Sequence, residues 1–152
     1  MNSSPLRSGW NLPDLRRGFM ETIPLGIGVT IYGLVYGMLG RQGVLPFWMI
    51  PAMSLIVFAG SSQILAAEMM ISGASPLSVI TTVLVVNLRH VVMSADMAVH
   101  VQDEPAGKKA LAAFFLTDEA YAVSYAHFQR EKGTISYILG AGLDIYLFWA
   151  LS

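Results

Sequence analysis

Cysteine is absent from the 152 residues, which excludes a disulfide framework, a thiolate metal site and a cysteine nucleophile. Charge is scarce as well. Charged residues make up 12% of the chain, against about 25% in soluble domains, too few to coat a water-facing body. There is no basic run, and a net charge of −1 offers a nucleic acid nothing to hold. No metal or cofactor is expected. Nor is a cleavable leader expected, because Arg7, Arg16 and Arg17 precede a long glycine-containing span rather than a short apolar core and a small-residue cleavage site. What the chain has in quantity is apolar surface and small residues: 55% hydrophobic, mean hydropathy +0.58, fourteen Gly and nine Met. Small residues let membrane helices approach closely, so the composition points to an all-α, polytopic transmembrane helix bundle.

A spanning helix needs about 20 mostly apolar residues. Four segments meet that length: Thr22 to Gly40, Pro46 to Ile71, Pro76 to Val101, and Ala110 to His127. A fifth begins at Ile135 and has no polar flank before Ser152, as a span cut short would look. Residues 1–21 then form a cytoplasmic or interfacial N-terminal segment and 22–152 the membrane domain. Within the former, residues 1–8 read as a disordered tail. Trp10 to Glu21 read as a short interfacial helix, with Trp10, Leu15 and Phe19 toward lipid and Arg16 and Arg17 toward water. Counting Lys and Arg in the loops puts Arg7, Arg16, Arg17, Arg130 and Lys132 on one side and Arg41, Lys108 and Lys109 on the other. The excess favours an N-terminus inside the cell.

Ionisable residues inside spans carry the functional hypotheses, because hydrocarbon cannot solvate them. Each Arg or Asp at a span centre costs about 2.5–3.5 kcal/mol on insertion scales. The chain has Glu68, Arg89, His90, Asp96, Asp118, Glu119 and Asp144 in such places. In the second span, Gly60-Ser61-Ser62-Gln63 joins a glycine to three hydrogen-bonding side chains, the pattern either of a continuous helix whose Gly and Ser residues pack against a neighbour or of a helix break. Its freed N–H groups and positive half-helix end would suit a carboxylate. In the third, Asn87-Leu88-Arg89-His90 puts polar groups on two faces at about 100° per residue, so that helix is either buried in a bundle or broken near Asn87. Arg89 can grip a carboxylate with its planar fork, or pair with Asp96, Asp118 or Glu119. His90 is a possible proton shuttle, or a hydrogen-bonded packing residue. In the fourth, Asp118, Tyr121 and Tyr125 share one face, a carboxylate among phenols that could bind an ammonium group or carry a coupling proton. Glu119 points about 100° away, so one of the two acids is left to pair with Arg89.

In order along the chain stand Arg17-Gly18, Pro24-Leu25, Gly33 and Gly37. Then come Ser54-Leu55-Ile56-Val57-Phe58-Ala59-Gly60-Ser61-Ser62-Gln63, Gly73-Ala74-Ser75-Pro76, Asn87-Leu88-Arg89-His90 and Leu116-Thr117-Asp118-Glu119. From about Arg17 to the end, the sequence resembles the large subunit of the AzlC family of branched-chain amino-acid exporters, also called the LIV-E or BrnF type. It departs from that family at Ile31-Tyr32-Gly33, where Pro-Phe-Gly is often seen, and at Asp96, where a small or polar residue is usual. Family members also continue beyond the length of this chain.

The resemblance implies a two-component, proton-driven permease of the bacterial cytoplasmic membrane. A small hydrophobic AzlD-type subunit would be the partner and a branched-chain amino acid the substrate. Residue by residue, Gly60, Ser61, Ser62, Gln63, Asn87 and Arg89 then fall to substrate binding, and Asp118, Glu119 and His90 to proton coupling or the ammonium group. Two other readings compete. One is a non-transporting fragment or assembly subunit. The other is an intramembrane serine hydrolase using Ser61 or Ser62 with His90, although Gly-Ser-Ser-Gln lacks the second glycine of the Gly-x-Ser-x-Gly elbow.

Overall fold

A computed structural model describes residues 9–42 and 45–152. Residues 1–8, with the expected tail and Arg7, lie outside the described residues. Seven helices account for nearly all of the rest, and no strand occurs among the described residues: α1 (Leu12–Gly40), α2 (Met49–Ile56), α3 (Gly60–Ile71), α4 (Pro76–His100), α5 (Ala106–Phe114), α6 (Asp118–Phe128) and α7 (Ile135–Leu151). The all-α bundle read from composition is what the chain forms.

The packing starts from small residues. Along α1 the buried positions are Gly18, Thr22, Gly26, Val29, Gly33, Tyr36 and Gly40, spaced three or four apart and therefore on one face. That face lies on α7 so closely that a side chain on Gly18 would strike the Tyr137 carbonyl, and one on Gly140 the Leu15 carbonyl. Gly18 opposes Tyr137 and Ala141, Gly26 opposes Asp144 and Phe148, and Gly33 opposes Trp149 and Ser152. The two helices are therefore parallel, and their shared beginning defines a proximal end of the bundle.

The remaining helices make two hairpins. From the distal end, α2 descends along α1, with Ile50 at Gly40 and Met53 Sδ 3.5 Å from the Tyr36 hydroxyl. The chain turns at Phe58 and α3 climbs back. The direction of α4 fixes this: Arg89 meets Asp118, Asp96 meets Tyr121 at 3.0 Å, and the His100 ring lies 5.2 Å from that of Phe128, so α4 runs from distal to proximal. A short connection joins the end of α3 to the start of α4, so α3 must finish at the distal end. The second hairpin enters from the proximal end, where Lys108 of α5 donates to the Gly9 carbonyl at 3.3 Å and sits 5.0 Å over the Trp10 ring. It turns at Phe115–Thr117, and α6 returns until Phe128 packs near Tyr137. Thus a long helix of 29 residues followed by short ones of 8 and 12 is succeeded by a long helix of 25 followed by 9 and 11. The second set runs the opposite way, and the two hairpin tips touch, with Phe58 and Phe115 ring centroids 6.2 Å apart.

Three expectations change. The second and fourth apolar segments do not each form one straight helix: at 1.5 Å per residue, none of their four short helices reaches across about 30 Å of hydrocarbon. Among the described residues, only α1 and α4 are long and apolar enough to cross, and α7 is a shorter apolar helix of 17 residues. Second, the break near Gly60–Gln63 exists, at residues 57–59 immediately before Gly60, but none occurs at Asn87–His90. There α4 is continuous, because Ser75 caps it, Pro76 opens it, and neither Gly nor Pro follows within it. Third, Trp10 to Glu21 do not make a separate interfacial helix. Helix α1 runs unbroken from Leu12 through Glu21 and past Pro24, whose lost N–H a membrane helix tolerates.

Lys108 also moves to the proximal end, and Lys109, one residue on, goes with it. Of the nine basic residues, Arg16, Arg17, Lys108, Lys109, Arg130 and Lys132 now gather at that end, while Arg41 stands at the other.

Candidate functional site

The site forms where the two hairpin tips meet α4. At the first tip Phe58 holds φ +45°, a left-handed conformation that a bulky residue rarely adopts. Its ring offsets that strain by packing edge-on against Tyr146 at 4.9 Å and beside Phe115. The turn frees the start of α3 from helical pairing. Gln63 Oε1 accepts the Ala59 N–H at 3.1 Å, and the Ser62 hydroxyl donates to the Ala59 carbonyl at 2.8 Å. At the second tip the Thr117 side chain accepts the Ala120 N–H at 3.3 Å and caps α6. Replacing Thr117 by alanine is expected to lower stability by about 1 kcal/mol, with serine restoring most of it, measurable as the melting temperature in detergent.

Between the tips lies a cavity of about 260 Å³, just under the roughly 300–1,000 Å³ of drug-sized sites and suited to a smaller ligand. One wall is apolar, from Val29, Tyr32, Phe58, Ile64, Ile145 and Trp149; the other carries Ser61, Arg89, His90, Thr117, Asp118 and Glu119. Arg89 links both tips: Nη1 pairs with Asp118 Oδ2 at 2.5 Å, and Nη2 donates to the Ser61 hydroxyl. Two buried donors at the cavity, Arg89 Nε and Trp149 Nε1, have no partner among the described residues. The charge pattern is polarised. The first turn of α3 holds no acid, whereas that of α6 holds Asp118 and Glu119, so the α6 dipole is answered by its own side chains and that of α3 stays open.

Of the residues singled out by sequence, the cavity brings together Gly60, Ser61, Arg89, His90, Asp118 and Glu119. Ser62 and Gln63 sit behind it as supports of the break. Asn87 lies off the cavity, its Oδ1 buried and without a partner among the described residues. Tyr121 and Tyr125 stack on each other at 5.8 Å, and Tyr121 turns its hydroxyl to Asp96, so the phenols do not surround Asp118. The hydrolase reading finds no Ser–His hydrogen bond among the described residues. Ser61 is engaged by Arg89 and Ser62 by a backbone carbonyl. Sequence reasoning missed Trp149 and Phe58. A tryptophan in an apolar span carries no positional signal. The second break was missed as well, although Thr117-Asp118-Glu119, an N-cap residue followed by two acids, was a signal that could have marked it.

A family model described as "AzlC protein" matches residues 24–152. The chain belongs to the AzlC family. Among curated proteins it is 30% identical over 115 residues to the branched-chain amino acid transport protein AzlC of Bacillus subtilis, covering 72% of this chain and 43% of that one. It is 32% identical over 136 residues to a membrane protein of Archaeoglobus fulgidus (88% and 57%), and 26% identical over 136 residues to the inner membrane protein YgaZ of Escherichia coli (87% and 55%). The chain spans about half the length of these curated relatives. No solved structure matches it. The family match contains both hairpins and every cavity residue.

At the proximal end Arg17 bonds Glu131 through both Nη atoms, at 2.6 and 2.8 Å, and Glu21 through Nε at 2.8 Å. The guanidinium holds the Glu131 carboxyl below the usual glutamate range. Its contribution is therefore present above the unfolded glutamate pKa and fades as pH falls through the lowered folded value. All three residues are exposed, so this tie between α1 and the α6–α7 connection is a weak one.

Proposed function

We propose that this chain is the substrate-binding core of a secondary transporter that exports branched-chain amino acids, driven by the proton gradient and working with a small hydrophobic AzlD-type subunit. The observation that carries the reading is the Arg89–Asp118 pair at the edge of a half-apolar cavity between two helix breaks. A zwitterion can take the place of both halves of that pair. Its carboxylate replaces Asp118 on the Arg89 fork, within reach of the open α3 N-terminus, and its ammonium replaces Arg89 on Asp118, with Glu119 and His90 near. The branched side chain meets Val29, Ile64, Ile145 and Trp149. Discontinuous helices whose N-terminal ends meet a substrate carboxylate at mid-membrane are a recurring transporter device.

The membrane arrangement that fits this reading has α1, α4 and α7 crossing and the two hairpins re-entering from opposite sides. Non-helical backbone at that depth is tolerable because it is enclosed by protein and lines a cavity. Six basic residues at the proximal end against Arg41 at the distal end support an N-terminus in the cytoplasm of a bacterial cell.

The test is an export assay in cells lacking their own branched-chain exporters. Cells expressing the protein, with and without the small partner, are fed an isoleucine-containing dipeptide, and isoleucine is followed inside and outside. Partner-dependent acceleration of efflux is expected. Unaltered efflux from cells shown to hold the protein in their membrane would reject the reading.

A further inference from the structure

Behind the apolar wall of the cavity sits an acid that none of the interactions above employs. Asp144, midway along α7, is completely buried, and neither carboxylate oxygen has a hydrogen-bond partner among the described residues. It faces the small-residue side of α1: a Cβ on Gly26 would come within 2.5 Å of its Oδ2, so a glycine there leaves space for the carboxyl. Ile145 and Trp149, its neighbours on the same helix, line the cavity with Val29 of α1.

The charged and titratable groups nearby are committed elsewhere. On α1, Arg17 and Glu21 bond Glu131 and Tyr137. On α6, Asp118 holds Arg89, Tyr121 donates to Asp96, Tyr125 stacks on Tyr121, and His127 stacks on Tyr137. Lys108 on α5 pairs with Glu104, Lys109 donates to the Gln102 carbonyl, and Tyr146 on α7 donates to the Leu55 carbonyl. Glu119 and Tyr32 face the cavity, and Tyr36 points to Met53. No cation among the described residues neutralises Asp144. An ionised carboxylate in this place lacks both water and a counter-charge, and a buried charge of that kind takes up a proton instead.

We propose that Asp144 is the proton carrier of the transporter, binding one proton while it faces one side of the membrane and releasing it when the site faces the other. This rests on the transport reading above and assigns the coupling to α7, leaving Asp118 and Arg89 to the substrate. Only an O–H bond forms and breaks: water on the acidic side supplies the proton, and water on the opposite side receives it. Passage requires the α1–α7 contact at Gly26 to open transiently toward each side in turn.

The full protein with its partner, in liposomes under an imposed pH gradient, gives the test, with labelled isoleucine and an internal pH dye read together. For the wild type we expect isoleucine movement against its gradient with opposite proton movement. Asp144→Asn is expected to lose gradient-driven accumulation and proton flux together while still exchanging labelled for unlabelled isoleucine; Asp144→Glu is expected to recover coupling in part. Wild-type-like accumulation and proton flux in Asp144→Asn would overturn the assignment. So would wild-type transport without proton flux, which leaves the transport reading intact. Absence of any isoleucine movement in the wild type would instead sink the transport reading. Infrared spectra of the wild type, grown with isotope-labelled aspartate, test the acid independently of that result and of whether the variant folds. A protonated aspartic carbonyl band at neutral pH is expected, and its absence would overturn the proposal.

Discussion

Arg89→Lys is expected to raise the isoleucine concentration for half-maximal transport about 10- to 100-fold while leaving the melting temperature nearly unchanged. Lysine keeps the positive charge and can still reach Asp118, but it loses the planar fork and the unspent Nε donor that a carboxylate would take. A hydrogen bond to a charged group contributes about 1.5–3 kcal/mol, which corresponds to that range of binding constants. Stability changes less because the pair is partly solvated: the Arg89 and Asp118 side chains are 34% and 47% exposed. Pairs of that exposure contribute about 1 kcal/mol or less. A concentration series in the export assay, set beside thermal unfolding in detergent, reads both quantities. An unchanged half-saturation would take Arg89 out of the binding site, and a large fall in melting temperature would make it a structural tie.

The second large effect lies in the α1–α7 seam. Gly140→Val is expected to cost about 3 kcal/mol or more, beyond the usual 1–3 kcal/mol of overpacking, and to reduce the protein recovered from the membrane. The obstacle is the Leu15 carbonyl, which is backbone and cannot swing aside as a side chain would, and the reverse contact from Gly18 to the Tyr137 carbonyl locks the same pair of turns. Gly37→Ala is the control. No atom lies within 4 Å of its added methyl, so it gains helix propensity of about 0.5–1 kcal/mol and is expected to melt no lower than wild type. Equal melting of the two variants would show that α1 and α7 do not meet through these glycines.

Which parts of this were legible from the residues follows from the kind of signal each part leaves. The bundle was legible from composition. The first break was legible as one of two readings of Gly60-Ser61-Ser62-Gln63, which puts capping chemistry in an apolar run. An ion pair between Arg89 and a nearby acid was one of the two roles open to that residue, since leaving either charge alone is costly. The hairpins were not legible. A chain that turns back in an apolar environment keeps its apolar composition on both limbs, so Pro46 to Ile71 looks the same folded or straight. The turn itself falls on Phe58, a residue type that carries no mark of left-handed backbone. Lys108 illustrates the consequence, since reading the second and fourth segments as straight spans sent it to the wrong end. The glycine spacing of α1 announced a packed face, but only three-dimensional structure names α7 as the partner. Asp144 was visible as a charge, and its lack of a partner among the described residues was not.

The two successive units, each a long helix followed by a two-helix hairpin, run in opposite directions, the element order of an inverted-topology repeat. In transporters built this way two packings exchange, each unit taking the conformation its counterpart held. If α2–α3 closes the distal approach in one state, α5–α6 closes the proximal approach in the other, and the cavity at their shared tips opens to opposite sides without moving. On the transport reading proposed above, alternating access would need no separate gate, because the exchange of roles between the two halves would itself be the gate.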